Sequence, residues 1–167
     1  MDTGVIDFLA NHAHLVEPLA QLHHAEWSGM LPWFTHDDAL AEFRDHAQSR
    51  SFPTTFVAVA GTQLLGSASL IARDLPEEDL PGFGAVTPWL ASVLVLPGWR
   101  GQGIGGALVE AVVAHARGLG VPRLHLFTEG QEAFYLRSGW SELHRFTLRG
   151  APATVMVREL LPVSEAS

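Results

Sequence analysis

The sequence predicts an α/β fold, a single domain in which helices cover a mixed β-sheet. Its 167 residues match the usual length of one domain, and 47% of them are hydrophobic, enough to form a core. Short apolar runs alternate with stretches of helical spacing, in the order β-α-α-β-β-β-α-β-α-β-β. We expect the domain to cover residues 1–161 and a loose tail to follow over 162–167.

The first half of the chain predicts three strands and two helices. A short strand over Val5–Leu9 precedes a helix over about His14–Trp27, in which leucines recur at helical spacing. Thr35 is a typical N-cap, and two aspartates follow it in the first turn of a second helix. A Gly-Thr turn between Thr54–Ala60 and Leu64–Leu75 then predicts a β-hairpin.

The second half predicts four strands and two helices. Trp89–Val95 is nearly continuously apolar, as expected for a strand that is buried on both faces. The remaining expected elements are a helix over Gly103–Leu119, a strand over Arg123–Thr128, a short helix over Gln131–Ser138, and strands over Trp140–Leu148 and Thr154–Glu159.

The composition excludes several classes of function. There is no cysteine and no lysine, which rules out thiolate nucleophiles, cysteine-ligated metals, Schiff-base lysines and the phosphate-binding lysine of a P-loop. A formal net charge of -8 disfavours nucleic acid and favours a small cationic partner. No apolar run reaches the ~18 residues of a membrane span, so we expect a soluble cytoplasmic protein that binds no membrane.

A glycine-rich turn follows the buried strand and opens the next helix. Glycine lacks a Cβ, so the backbone N–H groups there can approach an anion closely. The start of the helix adds partial positive charge, and Arg100 adds a permanent one. This turn therefore predicts a binding site for a diphosphate.

The same glycines also fit a dinucleotide-binding fingerprint. Gly101, Gly103 and Gly106 have the required spacing, and Glu129 stands near the position of the ribose-binding acid. However, the strands before the turn form a hairpin instead of βαβ units, and too few residues follow Glu129 for a doubly wound sheet. A nucleotide-binding oxidoreductase therefore stays the weaker alternative.

Two motifs together resemble the GNAT family of acyl-coenzyme A N-acyltransferases. Arg100, Gly103 and Gly105 match the family's Arg/Gln-x-x-Gly-x-Gly/Ala motif, directly after a strand that ends in Val95-Leu96-Pro97. Downstream, Ala133–Trp140 resembles its second signature, in which Phe-Tyr on a short helix precedes Gly-Phe or Gly-Trp. The order of elements agrees from Val5 to Glu159.

The resemblance implies a mostly antiparallel sheet of six to seven strands, whose splayed central strands bind acetyl-coenzyme A as co-substrate. Backbone of the buried strand would pair with pantetheine, a backbone N–H near Leu94 or Val95 would polarise the thioester carbonyl, and the glycine turn would hold the diphosphate. Gln131 stands near the family's usual pantetheine-binding asparagine. The implied cofactor-binding residues are Val93, Leu94, Val95, Arg100, Gly101, Gln102, Gly103, Ile104, Gly105, Gly106 and Gln131.

The resemblance also suggests how the reaction proceeds. Without cysteine, a covalent acetyl-enzyme at sulfur is excluded, so we expect direct attack by an amine in a ternary complex. Tyr135, at the Phe-Tyr position, is the candidate acid that protonates the coenzyme A thiolate. Glu26 is the first candidate base and Glu129 the second. The histidines lack a metal-binding pattern, so we expect no metal.

The acceptor is predicted only by class. We expect a primary amine of a small molecule or peptide, favoured if cationic. The resemblance implies that Trp27, Trp33, Phe34 and Trp89 lie beside it, either as an apolar or cation–π wall or as core residues. A noncatalytic acyl-coenzyme A sensor is the alternative from another class. Family members often form dimers, which makes a homodimer the expected assembly if the chain associates.

Overall fold

The computed structural model describes residues 4–160, so the predicted tail over 162–167 lies outside the described residues. The strands are Val5–Phe8 (β1), Thr54–Ala60 (β2), Gln63–Ile71 (β3), Trp89–Val95 (β4), Arg123–Thr128 (β5), Ser141–Leu148 (β6) and Ala151–Glu159 (β7). The helices are Val16–Trp27 (α1), His36–His46 (α2), Ile104–Gly118 (α3) and Glu132–Arg137 (α4). The strands form one sheet in the order β1-β2-β3-β4-β5-β7-β6, which confirms the predicted fold class.

Most of the strand pairing is antiparallel. It joins β1 to β2, β2 to β3, β5 to β7, and β7 to β6. In the described chain, the parallel pairing of β4 with β5 consists of Trp89 opposite His125 alone, as expected of strands that separate. A dinucleotide-binding fold needs a mostly parallel sheet, whereas these strands pair mostly antiparallel. The alternative of a nucleotide-binding oxidoreductase is therefore wrong.

The chain packs as two compact units, and the first comprises residues 4–70 and 92–112. Its helix α2 starts as the sequence predicts, because Thr35 Oγ1 accepts a hydrogen bond from the Asp38 N–H (3.0 Å) and the Asp38 carboxylate accepts one from the Thr35 N–H (2.9 Å). Helices α1 and α2 pack on each other and on the sheet. The shared core consists of Leu9, Leu15, Val16, Leu19, Ala20, Ala39, Phe43, Val57, Val59, Leu64 and Leu94.

A chain of polar side chains crosses the interior of this unit from α2 to β3. His46 Nδ1 lies 2.7 Å from Thr55 Oγ1, and Thr55 Oγ1 lies 2.7 Å from Ser69 Oγ. All three residues are buried. Burial lowers the pKa of His46 to about 4, so its imidazole is neutral at physiological pH and joins the chain as a neutral partner.

The second unit comprises residues 71–91 and 113–160. It contains the β5-β7-β6 sheet region, and its last hairpin differs from the prediction, because β7 begins at Ala151 instead of Thr154. Arg149 and Gly150 both have positive φ (51° and 86°), the conformation of a two-residue hairpin turn. Pro152 fits in this strand because the pairing of β7 with β5 starts only at Thr154.

Candidate active site

The predicted glycine turn has the backbone conformation that a phosphate-binding loop needs. A short 3₁₀ turn follows β4, and Gly101 and Gly103 then adopt φ of 78° and 84°, where a side chain would be strained. Helix α3 begins at Ile104, and its first helical hydrogen bond runs from the Ala107 N–H to the Gly103 carbonyl (3.0 Å). The preceding amides of residues 103–106 are therefore those that a helix leaves without an internal acceptor.

Space is open beside these glycines. A Cβ added at Gly101, Gly103 or Gly106 would meet no atom of the described chain within 4 Å, whereas one at Gly105 would lie 3.5 Å from Val95 Cγ2. The turn can thus admit an anion along its glycine side. Such a turn at a helix start binds phosphate through backbone N–H groups and the helix dipole.

Arg100 connects the turn to the end of β4. Its Nε–H donates to the Val95 carbonyl (2.9 Å), which uses one of the five N–H donors of the guanidinium. The residue is otherwise exposed, so further donors of the same side chain are accessible to a ligand. Gln102 follows two positions later, and its Oε1 is buried without a hydrogen-bond partner among the described residues.

Strand β4 is irregular just before the residues predicted to bind pantetheine. Ser92 adopts φ of 58°, a left-handed conformation that is uncommon for a residue other than glycine. Val93 and Val95 are half-buried, and Leu94 is buried. On the neighbouring strand, a Cβ added at Gly66 would lie 2.5 Å from the Leu94 carbonyl oxygen, so β4 and β3 approach very closely here.

A buried histidine holds the Ser92 side chain. His23 Nε2 lies 2.9 Å from Ser92 Oγ, and the imidazole is surrounded by the rings of Trp27, Phe34 and Phe43 at centroid distances of 4.6, 5.9 and 5.2 Å. Burial, with smaller contributions from His24 and His46, lowers the His23 pKa to about 4. No pattern in the sequence indicates this pair, because its two residues stand 69 positions apart.

Tyr135, the candidate acid, lies on α4 in the second unit. Its ring packs against Phe134 (5.0 Å between centroids) and Trp140 (5.9 Å), and its carbonyl accepts a hydrogen bond from the Trp140 N–H (3.1 Å). The residue is 7% exposed, and burial raises the pKa of its phenol to about 12. The phenol therefore keeps its proton throughout the neutral range, as an acid must.

The other predicted site residues are more exposed. Glu26 is an exposed side chain in the last turn of α1. Gln131 caps the start of α4, where its backbone N–H donates to Thr128 Oγ1 (3.3 Å), and its side chain is exposed. Glu129 is half-buried in the same connection. The first unit thus holds Glu26 with the glycine turn and the end of β4, and the second holds Gln131 and Tyr135.

The described residues contain neither a cluster of metal-ligand side chains nor a helix suited to a membrane. Among residues 4–160, no three histidine, aspartate or glutamate side chains cluster as metal ligands would. In the same part of the chain, none of the helices has both the length and the apolar character that a membrane crossing requires.

Several solved structures that share this fold are named as acetyltransferases. An aminoglycoside 6'-N-acetyltransferase complexed with coenzyme A is 17% identical, with a TM-score of 0.74 over 96% of this chain and 99% of the other. The aminoglycoside 6'-N-acetyltransferase from Enterococcus faecium is also 17% identical, with a TM-score of 0.72 over the same shares. A putative acetyltransferase of the GNAT family from Desulfovibrio desulfuricans is 22% identical, with a TM-score of 0.64 over 94% of this chain and all of the other.

The sequence itself matches a family model. No curated protein matches the sequence, and the structural neighbours at these identities establish the fold alone. The model of the acetyltransferase (GNAT) family, however, matches residues 17–140, from the start of α1 through the glycine turn to the end of the second motif. The chain therefore belongs to the GNAT family of acetyltransferases.

Proposed function

We propose that this protein transfers the acetyl group of acetyl-coenzyme A to a primary amine by direct attack in a ternary complex. The observation that carries the proposal is the glycine turn, with left-handed Gly101 and Gly103 and open space before α3, in a chain of this family. The amine nitrogen would form a bond to the acetyl carbonyl carbon while the carbon–sulfur bond breaks. The amine proton would pass to a base, and the thiolate would receive a proton.

Coenzyme A would be held by backbone groups more than by side chains. The amides of residues 101–106 would bind the diphosphate, with the free N–H groups of Arg100 as a planar, permanently charged contact. Pantetheine would pair with the backbone of Val93 and Val95, and an N–H near Leu94 or Val95 would stabilise the developing oxyanion. Gln131 would contact the pantetheine arm.

Tyr135 would act on the leaving group. With its pKa raised to about 12, the phenol is a much weaker acid than a thiol of pKa ~8.5, so complete ground-state transfer would cost roughly 5 kcal/mol. A hydrogen bond from the phenol to the departing sulfur has no such cost and strengthens as negative charge develops there. Because that cost remains after the carbon–sulfur bond has broken, Tyr135 would act mainly by donating this hydrogen bond, and the sulfur would take up its proton as coenzyme A leaves.

Glu26 is the proposed base, with Glu129 as the second candidate. An aliphatic ammonium has a pKa of ~10.4 and must lose a proton before nitrogen can attack. The exposed position of Glu26 at the end of α1 is compatible with proton transfer to solvent, directly or through a water molecule. If Glu26→Gln leaves the pH–rate profile unchanged, the base lies elsewhere.

The acceptor is proposed to be a cationic amine. The net charge of -8 favours association with cations, and several proteins of the same fold are named as aminoglycoside acetyltransferases. Trp27 and Phe34, which pack together around His23 in the first unit, provide apolar and cation–π surface.

The proposal is tested by coenzyme A release and by binding. Purified protein with acetyl-coenzyme A and a panel of tobramycin, spermidine, tyramine and an N-terminal peptide amine should release free thiol with at least one acceptor. Calorimetry should detect binding of acetyl-coenzyme A and coenzyme A, and Gly103→Val should abolish it. Binding without turnover on a broad panel would instead support the sensor, and no binding at all would refute the proposal.

A further inference from the structure

Ser92 has a strained backbone conformation, and its side chain forms a hydrogen bond with His23. Its φ of 58° is a conformation in which glycine is unstrained and serine is not, yet the position holds a serine. The strain lies inside a strand, at the residue directly before Val93. Glycine at this position would relieve the strain. The presence of a serine instead indicates that its side chain has a function.

The contact with His23 constrains which way the hydroxyl can donate. His23 Nδ1 is buried without a partner among the described residues, whereas Nε2 faces Ser92 Oγ. A neutral imidazole carries one proton, and a buried N–H left without an acceptor is the less tolerable of the two arrangements. The proton therefore belongs on Nε2, which donates to Ser92 Oγ. The O–H of Ser92 is then left to donate elsewhere, and no other described group accepts from it.

The direction of the cofactor along β4 places its acyl end at Ser92; this step rests on the proposed function. The diphosphate would lie at residues 101–106, and the pantetheine arm would pair first with Val95 and then with Val93. The thioester, at the far end of the arm, would follow next along the strand. Ser92 is the next residue in that direction, and it is partly exposed.

We propose that the Ser92 hydroxyl donates a hydrogen bond to the thioester carbonyl oxygen of bound acetyl-coenzyme A, and that His23 is the positioning residue that aims it. Of the two candidate backbone donors, the Leu94 N–H lies only two residues from Ser92, so the hydroxyl and that N–H would act on the same oxygen. A purely structural function explains the pair less well. A glycine would need no support in this backbone conformation, and a phenylalanine would fill the aromatic surroundings of His23 without an unpaired nitrogen.

Two variants of Ser92 separate the hydroxyl from the backbone strain. Ser92→Gly removes the hydroxyl and relieves the left-handed strain, and Ser92→Ala removes the hydroxyl and keeps the strain. Both should lower kcat by about 100-fold, the loss typical of one oxyanion donor, while Kd for coenzyme A stays within about twofold. The matched control is Ser67→Ala, which removes a buried hydroxyl of the same unit that has no partner in the described chain. Its kcat should be unchanged.

Infrared spectroscopy of bound acetyl-coenzyme A, labelled at the carbonyl carbon, tests the contact without turnover. The carbonyl stretch should lie at lower wavenumber in the wild-type complex than in the Ser92→Gly complex, because a hydrogen bond polarises the carbonyl. His23→Phe should shift the band toward that of Ser92→Gly, and His23→Gln, which retains an N–H donor, should restore part of the difference.

The outcomes distinguish this proposal from the proposed function. If acetyl-coenzyme A binds and the wild type turns over, but Ser92→Gly has the wild-type kcat and the same carbonyl band, the hydroxyl has no contact with the thioester and the inference is wrong. If acetyl-coenzyme A does not bind to the wild-type protein, the proposed function fails, and this inference fails with it.

Discussion

Gly66 on β3 provides a direct test of how closely the strands of the candidate site approach each other. In Gly66→Ala, the new Cβ would lie 2.5 Å from the Leu94 carbonyl oxygen, 3.1 Å from Leu108 Cδ1 and 3.4 Å from Val95 Cα. Nonbonded carbon contacts are favourable from about 3.5 Å, so β4 must move away by roughly 1 Å. The obstructing atom belongs to the backbone, which cannot adjust as the end of a side chain can.

Overpacking of this kind costs about 1–3 kcal/mol, and a backbone obstacle places the expected loss near 3 kcal/mol. For a chain of this size, that corresponds to a decrease in Tm of roughly 6–12 °C. Because the displaced backbone of Leu94 and Val95 is proposed to contact pantetheine and the thioester carbonyl, the affinity for coenzyme A should fall as well. Urea unfolding and calorimetry measure the two effects.

The matched control is Gly118→Ala, at the end of α3. A Cβ there would meet no described atom within 4 Å, so the variant should be unchanged or more stable by up to about 1 kcal/mol. If Gly66→Ala unfolds within about 0.5 kcal/mol of the wild type and binds coenzyme A equally well, the argument from close strand approach is refuted.

Three further predictions follow from buried polar groups. Ser67→Ala should raise the free energy of unfolding by about 1 kcal/mol in urea titrations, because it removes a buried hydroxyl without a partner in the described chain; a loss would show that this hydroxyl is satisfied. Tyr135→Phe should lower kcat by about 10–100-fold, the value of a hydrogen bond to a charged sulfur, with Tm nearly unchanged; full turnover would exclude Tyr135 as the proton donor. His23 and His46, whose pKa values are lowered from 6.5 to about 4, stay neutral in the folded state while the unfolded chain binds protons. The stabilisation linked to these two imidazoles should therefore be full above about pH 6.5 and fall by roughly 3 kcal/mol per imidazole as the pH approaches 4, and the difference between wild type and His23→Phe in pH-dependent denaturation should show about half of it. Glu42, whose pKa is raised by burial to about 7, has the opposite pH dependence in both proteins and cancels in that difference.

The strands were predicted most accurately where the sequence signal is local. Trp89–Val95 and Arg123–Thr128 have the predicted bounds, because apolar residues concentrate within each segment and turn residues flank it. The N-cap at Thr35 is equally local, since it requires only a hydroxyl and an acidic residue three positions later. The start of β7 differs from the prediction, because Arg149 and Gly150 alone form the turn and the strand already begins at Ala151.

Only the part of the candidate site that depends on a local backbone motif could be predicted from the sequence. The glycine turn has its predicted position before α3, and Gly101 and Gly103 adopt positive φ there, which glycine does without strain. The left-handed Ser92 could not be predicted, because its conformation is tied to a hydrogen bond from a histidine in a distant helix. Pairing over 69 residues in sequence is a product of the tertiary fold, and a single sequence contains no local record of it.

The hydrogen-bonded chain of His46, Thr55 and Ser69 has a consequence for which alternative folds this sequence can adopt. The Ser69 hydroxyl has its partner only when the two strands are in their native alignment, with Thr55 opposite Ser69, and Thr55 reaches His46 from the same face. A slip of one residue would turn Thr55 to the opposite face of the sheet and leave an imidazole and a hydroxyl unsatisfied in the interior. A misalignment of apolar side chains alone would cost less free energy. These three residues therefore favour a single register of β2 against β3 and a single placement of α2 on the sheet.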